Sequence, residues 1–225
     1  MASHEPHRIV VGITGASGAA YATRLVELAV DAGVEVHLVV SPLGRRLLHD
    51  ELGMENVDLE QLAGDGSVLL DSTKVEQPRT GGSIKLQPYR DVGAPMASGS
   101  FRHDGMIIIP CSSNSLGAIA NGVSQNLIHR AAHVTLKERR KLILVHRETP
   151  LNLIDINNMK TVTEAGALML PANPGFYMIP KSVDAIIDFV VGRCLDHLEI
   201  EHDLNVRWAD QIAKERATGH DDEHH

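Results

Sequence analysis

A turn of small residues near the start of the chain is the first place where chemistry is expected. An apolar, β-branched stretch leads into Thr14-Gly15-Ala16-Ser17-Gly18, and an amphipathic stretch follows. This order predicts a strand, a tight turn and a helix whose first backbone N–H groups face an anion such as phosphate. Gly15 and Gly18 permit the turn, and Ser17 is the expected N-cap. The spacing is neither the dinucleotide-binding GxGxxG nor a P-loop, and an ordinary capped turn is the alternative.

Two further turns carry similar side chains. Ser41 ends a second strand-like run, and the run 106–110 leads through Cys111 into Ser112-Ser113-Asn114-Ser115. Backbone N–H and hydroxyl donors at a helix start can hold a phosphate without a lysine. The alternative is that Ser112–Ser115 only cap the next helix. If all these turns lie at one edge of a sheet, they favour a single site for an anionic ligand.

Charged residues add candidates for proton and phosphate chemistry. Arg147 and Glu148 follow another strand-like run, where arginine can bind a phosphate with two hydrogen bonds and glutamate can move a proton. The same pair could also form a solvated turn. Lys137, within a run of charges, and Glu51 are indicated by periodicity alone to be helix-surface residues.

The elements that would position these residues alternate along the chain. Nearly continuous apolar runs alternate with amphipathic stretches, which predicts one domain with a flavodoxin-like (Rossmann-like) α/β fold: a doubly wound parallel sheet with helices on both faces. In such sheets, ligands bind at the carboxyl ends of the strands. The predicted strands are 8–14, 35–40, 105–110, 141–146 and 167–170, and the predicted helices are 21–32, 43–52, 115–121, 127–139, 153–165 and 183–198.

The domain is expected to span residues 8–210, between a flexible N-terminus at 1–7 and a flexible polar tail at 211–225. The stretch 56–93 is the least regular and predicts one short helix and one strand.

Composition excludes several function classes. The 225 residues are 43% hydrophobic, and 29 acidic against 21 basic residues argue against nucleic-acid binding. No apolar run reaches membrane-spanning length, and the N-terminus lacks the apolar core of a secretory signal. With only Cys111 and Cys194, a reducing cytoplasm is expected. The 13 histidines are scattered, and without an HExxH or CxxC pattern no metal is expected.

Eight short motifs occur between Arg8 and Trp208. They are Thr14-Gly15-Ala16-Ser17-Gly18, Ala97-Ser98-Gly99-Ser100, Pro110-Cys111-Ser112, Asn126-Leu127-Ile128, Arg130-Ala131-Ala132, Leu136-Lys137-Glu138-Arg139-Arg140, Arg147-Glu148-Thr149-Pro150 and Pro174-Gly175-Phe176-Tyr177. In this order they resemble the UbiX-type flavin prenyltransferases. The combination is specific, although no single motif is, and the stretch 56–88 contributes none.

The resemblance implies a homo-oligomer, trimer-based and as large as a dodecamer, that binds FMN and dimethylallyl phosphate. It implies transfer of the prenyl group to N5 and C6 of reduced FMN. The prenylated FMN then serves as the cofactor of UbiD-type decarboxylases. We expect active sites at subunit boundaries, because the edge of one sheet cannot exclude water from an allylic cation. No acidic motif for Mg²⁺ is present, and a monophosphate leaving group needs less neutralisation than a diphosphate, so catalysis without metal is expected.

Residue roles follow from motif position in that resemblance. The residues implied to contact FMN are Gly15, Ala16, Ser17, Ser41, Ser112, Ser113, Asn114, Ser115 and Arg147. Those implied to contact the prenyl phosphate are Arg130, Lys137, Tyr177, Arg193 and Trp208. Ser17, Glu51, Lys137 and Glu148 are the implied catalytic residues, and the C6 proton acceptor stays open among Glu148, Glu51 and the released phosphate.

Two other functions remain open at this point. An FMN-dependent cysteine decarboxylase of the same fold would use a histidine near His49, but Pro174-Gly175-Phe176-Tyr177 stands where its Pro-x-Met-Asn motif is expected. A non-catalytic flavin carrier that supports a decarboxylase is the second alternative.

Overall fold

The computed structural model describes residues 7–62, the backbone of 69–70, and residues 81–204. The strands are β1 (Arg8–Ile13), β2 (Glu35–Val40), β3 (Leu69–Leu70), β4 (Ser83–Gln87), β5 (Gly105–Cys111), β6 (Leu142–His146) and β7 (Leu168–Met169). The α-helices are α1 (Ala19–Asp31), α2 (Pro42–Leu52), α3 (Leu59–Leu62), α4 (Ser113–Ala120), α5 (Leu127–Lys137), α6 (Leu153–Glu164) and α7 (Val183–Leu198). Short 3₁₀ turns occupy Pro95–Ala97 and Phe176–Met178.

The strands form one parallel sheet with the order β3-β4-β2-β1-β5-β6-β7. Apart from the two-residue β3, this is the order of the doubly wound nucleotide-binding folds, and the winding direction reverses between β1 and β5. The predicted fold class is therefore confirmed. The irregular stretch contains the predicted short helix, α3, and the predicted strand, β4, with β3 in addition.

The sheet is covered by helices on both faces, and its central strands are apolar at nearly every position. In β1, Ile9, Val11 and Ile13 pack with α1 and α7 on one face, whereas Val10 packs with α4 and α5 on the other. All four side chains are at most 1% exposed. Two-sided burial explains why these strands are continuous apolar runs and lack the alternating pattern of a half-exposed strand.

Two edges of the sheet matter for function. The carboxyl edge is where β1, β2, β5 and β6 end, and the amino edge is where they begin. Helix α5 starts near the carboxyl edge, since Leu127 N donates to the carbonyl of Tyr89 just after β4 (2.9 Å). It ends at Lys137, shortly before β6 begins at the amino edge. Helix α5 therefore runs from one edge to the other.

The ends of the chain lie largely outside the described residues. His7 is described, but the rest of the predicted N-terminal segment and the predicted tail are not, so the boundaries of the domain remain predictions. Among the residues that the structure describes, no helix is both long enough and apolar enough to cross a membrane.

Candidate functional site

The first and fifth strands are joined at the carboxyl edge by one threonine. Thr14 Oγ1 donates to the carbonyl of Pro110 (2.8 Å) and accepts from Ser112 N (2.8 Å). Ser41 N donates to the carbonyl of Ile13 (2.9 Å), which brings the end of β2 to the same place. The predicted convergence of these turns on one edge is confirmed.

The turn after β5 presents hydrogen-bond donors to the solvent. Ser112 is the N-cap of α4, and its hydroxyl accepts from Ser115 N (3.3 Å). The N–H groups of Ser113 and Asn114 lie in the first helical turn, where no earlier carbonyl of the helix can accept from them. The side chain of Asn114 is exposed. The turn therefore caps α4, as the alternative interpretation predicted. The N–H groups of Ser113 and Asn114 are still available to bind an anion.

The turn after β1 differs from its prediction. The N-cap of α1 is Gly18, with φ of 123°, and no side chain caps the helix from that position. The prediction that Ser17 is the N-cap is wrong, because the backbone must enter α1 through a conformation that only glycine adopts readily. Ser17 is exposed.

A carboxylate from α2 already occupies the N-terminus of α1. Glu51 Oε2 accepts from Gly18 N (3.0 Å) and Ala19 N (2.8 Å). A negative charge is favourable there because the helix dipole is positive at its N-terminus. Two of the N–H groups predicted to face an anionic ligand are thus taken by the protein itself. Helices α1 and α4 both begin where the winding direction of the sheet reverses. Of these two, α4 is the helix whose N-terminus is available to an anionic ligand.

The turn after β6 reaches the same site. Arg147 Nε donates to the carbonyl of Ser17 (3.2 Å), and Arg147 N donates to the carbonyl of Cys111 (3.3 Å). Glu148 is exposed, and its carboxylate accepts from Thr149 N (3.0 Å). Arg147 and Glu148 therefore border the turns after β1 and β5.

Close packing against α2 explains the glycine at position 15. A Cβ on Gly15 would lie 2.5 Å from the Cβ of Leu43, closer than two carbons can approach. Ala16 is buried beside it, and Ser41 caps α2 by accepting from Gly44 N (3.0 Å). Of the predicted flavin contacts, Gly15, Ala16 and Ser41 thus shape this edge of the sheet.

Two buried histidines support the serines of the α4 turn. Ser113 Oγ lies 3.0 Å from His146 Nε2, and Ser115 Oγ lies 3.3 Å from His129 Nε2. Burial lowers the pKa of both imidazoles. Sequence reasoning missed both residues, because a lone histidine in an apolar run or amphipathic helix gives no signal of its partner.

A second group of candidate residues surrounds the segment Ala97–Arg102, which we call the amino-edge loop. Arg130 Nε donates to the carbonyl of Ala97 (3.1 Å). Lys137 is ion-paired with Glu138, and a Cβ on Gly99 would lie 2.9 Å from its Nζ. Arg130 and Lys137, two turns apart on α5, therefore both face this loop.

Two more arginines fix the conformation of the amino-edge loop. Arg140 donates to the carbonyls of Phe101 (2.6 Å) and Gly99 (2.7 Å). Arg8 donates to the carbonyl of Arg102 (3.1 Å), and its guanidinium lies 5.3 Å from the ring centre of Phe101. These hydrogen bonds from arginine side chains to the carbonyls of the loop restrain its backbone conformation.

Within one chain, the candidate residues at the carboxyl edge and those around the amino-edge loop do not come together. Lys137 ends α5 before β6, and Glu148 follows β6 at its other end. A strand of five residues spans about 16 Å. Lys137 and Glu148 therefore lie at opposite edges of the same sheet.

The remaining predicted residues are on or near α7. Tyr177 is 50% exposed, and its ring meets the ring of Phe189 edge-on at 5.6 Å. Arg193 is exposed and donates to Asp196 (3.2 Å). Trp208 lies outside the described residues.

Two further observations concern metal ligands and the histidine of the alternative cysteine decarboxylase. No three or more His, Cys, Asp or Glu within the described residues are grouped so as to hold a metal ion. His49 is exposed and pairs with its neighbour Asp50 (2.9 Å).

The donor set of the α4 turn fits the phosphate of a flavin nucleotide. It combines the open N-terminus of an eight-residue helix with neutral hydroxyl and amide groups. The neighbouring Arg147 supplies a positive charge.

Comparisons with known proteins identify the family of this chain. Residues 2–195 match the Flavoprotein family. The flavin prenyltransferase UbiX of Halalkalibacterium halodurans is 45% identical over 201 residues, which cover 89% of this chain and 93% of that protein. The crystal structure of AnUbiX in complex with FMN and dimethylallyl pyrophosphate is 37% identical, with a TM-score of 0.74, and the match covers 91% of this chain and 98% of that one.

A dodecameric FMN-dependent UbiX-like decarboxylase from Escherichia coli is also 37% identical, with a TM-score of 0.75 over 89% of this chain and 98% of that one. The chain therefore belongs to the Flavoprotein family and, within it, to the UbiX-type flavin prenyltransferases.

Proposed function

We propose that this chain transfers a dimethylallyl group from dimethylallyl phosphate to N5 and C6 of reduced FMN. The product, prenylated FMN, would serve a UbiD-type decarboxylase. The observation that carries this proposal is the donor-lined carboxyl edge where β1 and β5 diverge, in a chain of this family. Reduced FMN, when bound, supplies the nucleophilic ring atoms.

The flavin phosphate would bind at the N-terminus of α4. Glu51 fills the corresponding position on α1, so the open donors of Ser113 and Asn114 are the better match for an anion. Arg147 would supply the positive charge beside them. Gly15 and Ala16 would line the remainder of the flavin site.

Catalysis of the transfer depends on charge that develops as the allylic C–O bond breaks. The departing phosphate becomes more negative, so fixed cations stabilise the transition state more than the bound substrate. Lys137, Arg130 and Arg193 are the proposed cations. With three such side chains and a monophosphate leaving group, we expect the reaction to proceed without a metal ion.

Lys137 would have to come from a neighbouring copy of the chain. It lies at the amino edge, whereas Glu148 lies at the carboxyl edge. Helix α6 supports assembly, because Leu153 and Ile154 are 70% and 71% exposed. Adjacent exposed apolar side chains that form a patch are typical of an interaction surface. A trimer-based oligomer, up to a dodecamer, would cover them and combine the two edges in one water-excluding site.

Glu148 is the proposed acceptor of the proton lost from C6. It is exposed at the carboxyl edge beside Arg147, where it can face the flavin. Glu51 is less suited, because its carboxylate already accepts two backbone N–H groups. Tyr177 is proposed to line the prenyl pocket and to help exclude water from the allylic cation.

Anaerobic incubation with FMN, dithionite and dimethylallyl phosphate tests the proposal. We expect the mass of the flavin to increase by one dimethylallyl group, and the product to activate a UbiD-type apo-decarboxylase. Dimethylallyl diphosphate in a parallel reaction identifies the preferred donor. FMN that stays bound and unmodified with both donors would favour the flavin carrier. In a separate incubation with oxidised FMN as the electron acceptor, release of CO₂ from phosphopantothenoylcysteine or from a peptide with a C-terminal cysteine would favour the cysteine decarboxylase.

A further inference from the structure

A buried hydrogen-bond chain lies behind the α4 turn and begins at Asn126. Asn126 is the N-cap of α5, and its Oδ1 accepts from His129 N (3.0 Å). A backbone N–H can only donate, so this bond fixes which end of the amide is the oxygen. The amide nitrogen, Nδ2, therefore faces His129 Nδ1 at 2.9 Å.

That orientation determines the tautomer of His129. Since Asn126 Nδ2 is a donor, His129 Nδ1 must accept, and the ring proton of the neutral imidazole is on Nε2. Burial, with 6% of the residue exposed, favours the neutral form. His129 Nε2–H then donates to Ser115 Oγ, 3.3 Å away.

Ser115 also accepts a second hydrogen bond. Ser112 Oγ donates to Ser115 Oγ at 3.3 Å. A serine hydroxyl has two lone pairs and one proton, so the bonds from His129 and Ser112 leave only the proton unused. Ser115 is 5% exposed, which leaves little room for water to reorient it.

We propose that Asn126 and His129 are positioning residues that make Ser115 an obligate hydrogen-bond donor to the phosphate of the bound flavin nucleotide. This inference rests on the proposed function. A phosphate oxygen can only accept from a hydroxyl, so a serine that can no longer accept is preorganised for it. A freely rotating hydroxyl would lose rotational entropy when the phosphate binds.

Affinities for FMN and riboflavin separate positioning from a merely structural role, because riboflavin lacks the phosphate. We expect His129→Leu to weaken FMN binding by roughly 10-fold and to leave riboflavin binding unchanged. His129→Gln should recover most of the loss, because its amide nitrogen can donate from near the position of Nε2. His133→Leu is the matched control, since His133 is exposed one turn further along α5.

Ring ¹⁵N chemical shifts of the wild-type protein supply a readout independent of the flavin. We expect the Nε2–H tautomer for His129 at neutral pH. An Nδ1–H tautomer, an imidazolium ion, or an equal loss of FMN and riboflavin affinity in His129→Leu would overturn the inference. FMN binding that His129→Leu leaves unchanged would overturn this inference alone, whereas a wild-type protein that does not bind FMN would overturn the proposed function as well.

Discussion

The carboxyl edge and the amino-edge loop both carry candidate residues, but they are built in opposite ways. At the carboxyl edge, backbone N–H groups and hydroxyls such as that of Ser113 form the donor set. At the amino-edge loop, the guanidinium groups of Arg8, Arg130 and Arg140 donate to backbone carbonyls, and Lys137 lies beside them. The first region offers mainly dipoles to a ligand, with Arg147 as its charged neighbour, whereas the second is built mainly from charged side chains.

The difference suggests that the two phosphates, of FMN and of the prenyl donor, are bound by regions with separate structural origins. Parallel strands necessarily bring their carboxyl ends to one edge, so the proposed donors for the flavin phosphate lie together within one chain. The cationic half lies at the other edge and can meet the first only when copies of the chain pack together. On this proposal, the flavin site would depend on the fold of one chain, and the second site would depend on assembly.

Complementation between two inactive variants tests most directly whether the two regions act together across a subunit boundary. We expect Lys137→Ala to retain FMN and to lose prenylation by roughly 10²-fold or more, because one charge-assisted contact to the leaving phosphate is missing. Glu148→Gln should also lose activity. When the two variants are co-expressed with different tags and purified as mixed oligomers, some sites would combine an intact Lys137 with an intact Glu148, and activity should return.

Lys160→Ala is the control for loss of an exposed lysine, since Lys160 pairs only loosely with Glu164 on α6 (3.5 Å). Mixed oligomers as inactive as the separate variants would contradict a shared site and would require both residues to act within one chain.

A smaller effect is expected from the residue that fixes the amino-edge loop. Arg140→Ala removes donors to two loop carbonyls, so the loop beside Lys137 would become mobile. We expect the KM for dimethylallyl phosphate to rise roughly 10-fold, with FMN affinity unchanged. Arg140→Lys should recover part of the loss, since lysine supplies a charge without the two-pronged geometry.

Steady-state kinetics, with FMN or dimethylallyl phosphate varied in turn, would measure the effect on each substrate separately. Arg46→Ala, which removes an exposed ion pair on α2, is the control. An equal change in the FMN and prenyl phosphate constants would show that the two regions are not independent.

Glu35 accepts a hydrogen bond from Arg8 (2.7 Å), one of the arginines that bind the amino-edge loop, and its contribution to stability should depend on pH. Burial alone would raise the pKa of Glu35, but hydrogen bonds from Arg8 and His37 outweigh it and lower the pKa to about 2. The ionised carboxylate therefore stabilises the fold at pH values above 4.5, the ordinary value, and this contribution is lost as the pH falls toward 2.

We expect Glu35→Gln to lower the free energy of unfolding by about 1–2 kcal/mol at pH 7. The difference from wild type should shrink steadily below pH ~4.5. Urea denaturation at several pH values would measure it, with the exposed Glu164→Gln as control. A difference independent of pH would mean that Glu35 acts through packing and not through its charge.

Sequence alone predicts most of the carboxyl edge. Long apolar runs such as 105–110 identify buried parallel strands, and the turn residues after them must then meet at one edge. The apolar pattern is therefore sufficient to place the serines after β5 correctly. The charge run around Lys137 has no such constraint, because exposed lysines at helix ends are common and only the resemblance suggests a role.

The missed features are contacts between residues far apart in the chain. The bond from Arg140 to Gly99 crosses 41 positions, and Glu51 reaches back 33 positions to Gly18. Local pattern favours Ser17 as the cap because serine is a frequent N-cap residue. No spacing rule indicates that a carboxylate from α2 performs that task.

The smallest predicted effect concerns this cap, which distinguishes the closed helix α1 from the open helix α4. Glu51→Ala leaves the N–H groups of Gly18 and Ala19 without their acceptor. We expect the free energy of unfolding to fall by about 1 kcal/mol, as for the loss of an N-cap side chain. Asp50→Ala, one residue earlier and exposed, is the matched control.

Removal of Glu51 also exposes a second helix N-terminus at the carboxyl edge. Inorganic phosphate should then protect Glu51→Ala against unfolding more than it protects the wild type, because a bound anion replaces the lost carboxylate. Thermal unfolding with increasing phosphate would measure this gain. Equal protection of both proteins would mean that Glu51 does not keep anions away from α1, and the preference of the flavin phosphate for α4 would need another cause.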